Sequence, residues 1–225
     1  MRKLMCLLVL LTGLCPALQA SGVEEGDFMY NFYAGLGSGL QRSGVEFAGE
    51  KDFAWGNFGV DLGLSGMYFS NPYLGLGADI HFSGFVGSDT EFFTTSGYHW
   101  HNYKMELNTS LFQFMGAGRL YLNPEGRARL YIPFGAGLTV ANGEFVYEED
   151  HFHPIKWDHT SASLGYYVGL GWEVDWQENS AFGLEARYNS FRYDMSNLAS
   201  KVGIDSPVGE KDYSYFSLVF TLSFR

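Results

Sequence analysis

From Ser161 to Tyr193 the chain changes character at every second residue. Ala162, Leu164, Tyr166, Val168, Leu170, Trp172 and Val174 are apolar or aromatic. The residues between them, Ser163, Gly165, Tyr167, Gly169, Gly171, Glu173 and Asp175, are mostly small or polar. After a polar break at Gln177-Glu178-Asn179-Ser180 the alternation resumes, with Phe182, Leu184, Ala186 and Tyr188 against Gly183, Glu185, Arg187 and Asn189. Successive side chains of a strand point to opposite faces, so this is a hairpin with one greasy face and one small, charged face. A soluble sandwich turns the charged face to water. A transmembrane barrel turns it inward, gives the greasy face to lipid, and needs strands of ~9–11 residues. The strands here are long enough for the second reading.

The N-terminus bears on the compartment. Arg2 and Lys3 precede an apolar run from Leu4 to Leu14, too short to span a membrane and laid out as a secretory signal. Cleavage is expected after Ala20, leaving residues 21–225 as one domain. Both cysteines, Cys6 and Cys15, lie in the signal, and Leu14 and Pro16 around Cys15 suit a lipid anchor poorly. The mature chain is therefore expected to form no disulfide and to do no thiol chemistry. It also lacks an apolar run near ~20 residues that could cross as a helix. Without Arg2 and Lys3, the 14 basic residues become 12 against 25 acidic ones, a net charge of −13. That balance disfavours nucleic acid as a partner, because binding phosphates takes a basic surface.

Six further alternating stretches fill the mature chain. Phe28, Tyr30, Phe32, Ala34 and Leu36 begin the first strand, and a polar loop runs from Gln41 to Gly56. Phe58, Val60, Leu62 and Leu64 mark the second strand, the Ser70-Asn71-Pro72 turn follows, and Leu74, Leu76, Ala78, Ile80 and Phe82 mark the third. A long loop is expected from Gly87 to Glu106. The fourth strand is phased with Phe112, Phe114, Leu120 and Leu122 outward and Gln113, Met115, Ala117 and Arg119 inward. A tight turn at Asn123-Pro124-Glu125-Gly126 leads to Leu130, Ile132, Phe134, Ala136, Leu138 and Val140. Pro133 removes a ladder donor there and predicts a bulge or a weakened pair. Loops from Asn142 to Thr160 and from Asp194 to Asp212 flank the hairpin described above. Phe216, Leu218, Phe220, Leu222 and Phe224 form the last strand. Eight strands, with short turns and long loops in alternation, predict an all-β fold: an eight-stranded antiparallel up-and-down transmembrane β-barrel. A closed barrel is also the sheet that leaves no unpaired backbone in hydrocarbon.

Phe182-Gly183-Leu184-Glu185-Ala186-Arg187-Tyr188, the Gly135-Ala136-Gly137-Leu138 step and the aromatic last strand resemble the small eight-stranded outer-membrane barrels. That group includes the OmpA transmembrane domain, the opacity and OmpX/Ail proteins, and OmpW. The resemblance implies an outer membrane of the Gram-negative type, with its lipid and lipopolysaccharide as surroundings. It also implies the barrel-assembly machinery as a partner during biogenesis. These proteins usually end on an aromatic residue, whereas here Arg225 follows Phe224.

The small face carries Asp61, Asp79, His81, Arg119, Arg129, Glu173, Asp175, Glu185 and Arg187. An eight-stranded barrel is just wide enough for side chains to fill, and buried charges need partners. Arg119, Arg129 and Arg187 are therefore expected to pair with Asp79, Glu173 and Glu185 as an ionic plug; the competing reading is a gate to a narrow pore. His81-x-Ser83 and His159-x-Ser161 match half of the pattern of lipid A deacylases of this type, with Glu173 after Ser161. Ser161 and Glu173, however, lie twelve residues apart on one strand, roughly 40 Å, so no enzyme is expected.

The loops hold Tyr98, His99, Trp100 and His101, and Glu148, Asp150, His151, Phe152, His153 and Trp157. Aromatics beside charge suit a host or environmental ligand. The pairs His99/His101 and His151/His153 are each half of a zinc or copper site. The plainer reading is strands projecting above the membrane. No resident cofactor is expected. The function predicted is a structural or adhesin-like surface scaffold with a plugged lumen. The alternative is a small-solute or hydrophobic-compound channel of the OmpW type.

Overall fold

The computed structural model describes residues 22–40, 46–47, 50–51, 58–95, 99–149, 155–194 and 210–225. In chain order the strands are β1 (Phe28–Gly39), β2 (Glu46–Phe47), β3 (Glu50–Lys51), β4 (Phe58–Asn71), β5 (Leu74–Thr95), β6 (His99–Tyr121), β7 (Ala128–Glu149), β8 (Ile155–Gln177), β9 (Ser180–Asp194) and β10 (Glu210–Phe224). Eight of them close into a barrel in the order β1-β10-β9-β8-β7-β6-β5-β4. Every neighbouring pair is antiparallel. β2 and β3 pair separately, inside the stretch that the sequence reads as a plain polar loop.

The pairing fixes the stagger. Following cross-strand partners from Phe224 through Tyr30, Gly66, Ala78, Gly116, Ala136, Tyr166 and Ser190 leads back to Ser214, ten residues from the start. A stagger of this size in eight strands tilts them by about 40° and leaves an interior that side chains fill. The alternation settles which side chains those are. Phe32, Leu62, Ile80, Phe114, Leu138, Leu170, Leu184 and Phe220 are exposed on the outer wall, whereas Asn31, Asp61, Asp79, Gln113, Thr139, Glu173, Glu185 and Thr221 are buried.

One end is closed by short turns. The Asn71 side chain accepts hydrogen bonds from the backbone N–H of Tyr73 and Leu74 at 2.9 and 3.0 Å. Asn123 accepts from Leu130 N–H at 2.6 Å and donates to the Ala128 carbonyl at 2.9 Å, while Gly126 takes a φ of 89° that favours glycine. The third turn is Glu178–Asn179 between β8 and β9. Residues 22–27 fold beneath this end, with Gly26 N–H on the Phe69 carbonyl and Phe69 N–H on that of Asp27, both at 2.9 Å. Val23 is thereby buried in a cluster with Met29, Met67, Phe69 and Tyr121.

The opposite end corrects the sequence reading. The stretches 87–106 and 142–160, which the sequence reads as loops, are mostly strand. β5, β6, β7 and β8 run for 22, 23, 22 and 23 residues, against 12 to 15 for β1, β4, β9 and β10. Their ladders continue to Thr95↔His99, Tyr103↔Glu149 and Tyr147↔Ile155. Above the membrane no lipid demands an apolar face, so the alternation fades while the β-branched and aromatic content that favours strands persists. At Pro133 the outcome is the weakened pair and not the bulge. Tyr131↔Gly171 and Phe134↔Val168 keep one register, and the two positions between them form no pair with β8.

Candidate functional site

The lumen is built by matching rings to glycines. Tyr33 lies opposite Gly63, Phe85 opposite Gly59, Phe69 opposite Gly75, Tyr131 opposite Gly171 and Tyr167 opposite Gly135 on neighbouring strands. At each of these glycines an added Cβ would strike the facing ring. Glycine on one strand thus lets the aromatic ring of the next lie flat against the wall. The hydroxyls of the tyrosines are carried to the barrel axis.

A column of alternating charge occupies that axis. At the turn end, Arg225 bonds through its guanidinium to Asp175 at 2.6 Å and to the Gly22 carbonyl at 2.9 Å. Arg129 grips Asp175 with both terminal nitrogens and reaches Glu173 at 2.8 Å. Arg119 bridges Glu173 at 2.9 Å and Glu185 at 3.0 Å. Arg187 binds Glu185 at 2.6 Å and approaches Asp79 to 3.8 Å, and His81 Nδ1 lies 3.3 Å from Asp79. The carboxylates gain further donors: Tyr121 to Glu173 at 2.7 Å, Tyr131 to Glu185 at 2.7 Å, and Tyr33 and Tyr167 to Asp79 at 2.6 and 3.0 Å. The guanidinium of Arg119 stacks over Tyr131 and that of Arg187 over Tyr33, each at 4.1 Å. Ionised groups in so dry a place are tolerable only because each has several partners.

Above the charges the column continues in neutral groups. Tyr215 donates to Gln113 at 3.1 Å and lies 3.0 Å from the Ser83 hydroxyl and 3.5 Å from His81 Nε2; Gln113 donates to Thr139 at 2.7 Å. Among the described residues four buried side-chain atoms lack a partner: Asp61 Oδ1, Asn108 Oδ1, Arg119 Nε and Thr221 Oγ1.

Asp79, Arg119, Arg129, Glu173, Glu185 and Arg187 thus meet in one network, joined by residues that sequence reasoning did not select. Tyr33, Tyr121, Tyr131 and Tyr167 occupy the inward phase of their strands, and that phase is the signal that could have found them. Arg225 carried no such signal. Only the closed structure sets Arg225 beside Asp175. Of the surface residues, His99, Trp100 and His101 belong to β6 opposite Thr95, Thr94 and Phe93, and Trp157 belongs to β8 opposite Phe145. Tyr98, His151, Phe152 and His153 lie outside the described residues.

A closed barrel with a greasy outer wall, an ionic interior, short turns at one end and long hairpins at the other is an outer-membrane protein. Residues 7–225 match the family of outer membrane protein beta-barrel domains, and the chain belongs to that family. Its place is accordingly the outer membrane. No curated protein matches the chain. Among solved structures it is similar to the neisserial surface protein A, with 13% identity over 88% of this chain and 96% of that one, at a TM-score of 0.43. It is also similar to the attachment invasion locus protein Ail of Yersinia pestis, crystallised with the heparin analogue sucrose octasulfate (14% identity, 88% and 99% covered, TM-score 0.39). A third is the outer membrane protein OprG of Pseudomonas aeruginosa (13% identity, 92% and 98% covered, TM-score 0.41). Likeness this faint transfers neither ligand nor activity.

Proposed function

We propose that this barrel is a closed scaffold that works at its outer surface and not through its lumen. The observation that carries the reading is the column from Arg225 to His81, in which opposite charges alternate and tyrosine hydroxyls add donors to Glu173, Glu185 and Asp79. The long β5–β6 and β7–β8 hairpins support it, since they form a rigid platform where binding residues concentrate. Export by the N-terminal signal and folding by the barrel-assembly machinery belong to the same reading. A catalytic role does not. Ser83 is fully buried, which leaves no approach for a substrate. Ser161 and Glu173 stand twelve residues apart on β8.

Cutting β5–β6 back to the Val86↔Asn108 pair and β7–β8 back to Asn142↔Thr160 tests the platform. The trimmed protein is expected to keep its heat-modifiable mobility, the mark of a folded barrel. It is expected to lose binding to the immobilised proteins or glycans that retain the intact chain. Binding that survives trimming would move the function to the barrel body.

The pairing of Tyr103 of β6 with Glu149 of β7 supports a metal reading, in which His99 and His101 act together with His151 and His153. Those four histidines form the proposed zinc or copper site. Calorimetry of the intact protein with zinc is expected to give saturable heat at micromolar protein, and its absence would remove metal from the reading.

A further inference from the structure

Among the described residues the wall of the barrel has a seam between β8 and β9. The β8–β9 ladder runs up from the turn and stops at Gly165↔Phe191, although β8 goes on pairing with β7 to Ile155 and β9 goes on pairing with β10 to Asp194. Beyond that point two side-chain bonds replace the ladder: Ser163 donates to the Arg192 carbonyl at 2.6 Å, and Tyr193 to that of His159 at 2.9 Å. A cavity of about 500 Å³ opens there, lined by Ser163, Leu164, Tyr166, Ser190, Arg192 and Asp212, with Phe191 as a further wall.

The chemistry of this cleft divides by height. Leu164, 80% exposed, and the exposed Tyr166 are the last large lipid-facing groups of β8, and Tyr188 and Phe216 are those of β9 and β10. Tyr166 and Tyr188 stand with ring centroids 6.5 Å apart across the strands below the seam. Directly above this apolar floor lies Arg192, whose Nε donates to Asp212 at 3.0 Å. Among the described residues its two terminal nitrogens have no protein acceptor. Asp212 fixes the guanidinium at the level where hydrocarbon gives way to headgroups, and a planar guanidinium matches the oxygens of a phosphate. The short turns mark the periplasmic end, so the seam opens toward the outer leaflet.

We propose that the β8–β9 seam is a lipid site, which seats one acyl chain of lipid A against Leu164 and Tyr166 and its phosphate on Arg192. The cleft needs no opening of the lumen, and its failure would leave the closed-scaffold reading untouched. Its charged lining groups, Arg192 and Asp212, lie toward the upper edge, and the small Ser190 sits beside Tyr166 at the floor. Phe191 bars the way inward.

The test is native mass spectrometry of the detergent-purified protein with added lipid A, dephosphorylated lipid A or phosphatidylglycerol. One lipid A per barrel is expected to survive desolvation. Arg192→Ala is expected to weaken the complex about tenfold, as loss of a charge-assisted bond does. Leu164→Trp, which fills the cleft, is expected to weaken it by a similar factor. Leu218→Trp, on the outer face of β10 but outside the cleft lining, is expected to leave it unchanged. Heat-modifiability shows that each variant is folded. Equal adducts on all variants would reduce the lipid to a nonspecific coat and overturn the site. Equal retention of dephosphorylated lipid A would overturn the role of Arg192. Phosphatidylglycerol binding as tightly as lipid A, with the same dependence on Arg192 and Leu164, would overturn the choice of lipid.

Discussion

Arg119→Ala is expected to lower the unfolding free energy by about 3–5 kcal/mol, the cost of breaking a buried ion pair by removing one partner. Arg119 is 1% exposed and holds two carboxylates, Glu173 at 2.9 Å and Glu185 at 3.0 Å. Without it the centre of the column carries two negative charges with only Arg129 and Arg187 at its ends. The stacked Tyr131 ring also loses its cation. Arg187→Ala is expected to cost less, because Asp79 keeps His81, Tyr33 and Tyr167, and Glu185 keeps Arg119 and Tyr131. Urea unfolding in detergent measures both. An unchanged midpoint for Arg119→Ala would mean that water reaches the column and screens it.

The second large effect is steric. A Cβ at Gly77 would fall on the Gly66 carbonyl oxygen, and one at Gly137 on the carbonyl oxygen of Phe114. Both obstacles are backbone of the neighbouring strand, which cannot turn aside as a side chain does without breaking ladder bonds. Gly77→Ala and Gly137→Ala are therefore expected to cost at least the ~1–3 kcal/mol of ordinary overpacking and to deplete the folded band on a heat-modifiability gel. Gly116→Ala is the control, since the nearest atom to its Cβ is the Ala136 oxygen at 3.7 Å. If Gly77→Ala and Gly116→Ala fold alike, the close approach of β4 and β5 is wrong.

What the sequence made legible follows from where physics constrains it. Lipid requires Leu62, Phe114, Leu170 and Phe220 to be apolar, and the filled interior requires Gly171 and Glu173 to be small or paired. The barrel, its eight strands and the inward phase are therefore written in the alternation. Pairing within the column is not. Which acid Arg119 meets depends on a stagger that no single strand encodes. Arg225 joins Asp175 only because the ring closes. The outer parts of β5 to β8 read as loops in the sequence because, beyond the membrane, neither face must be apolar. Tyr33, Tyr131 and Tyr167 share the inward phase with small residues, and that phase alone does not show that a ring opposite glycine is how the face is filled.

Conductance of the intact protein in planar bilayers tests the central claim most directly. A lumen closed from Arg225 through Arg119 to Tyr215 is expected to pass no steady current, and brief flickers at most, at voltages where open porins conduct. Sustained, ohmic, single-channel steps from the same preparation would contradict the closed scaffold and make the barrel a channel.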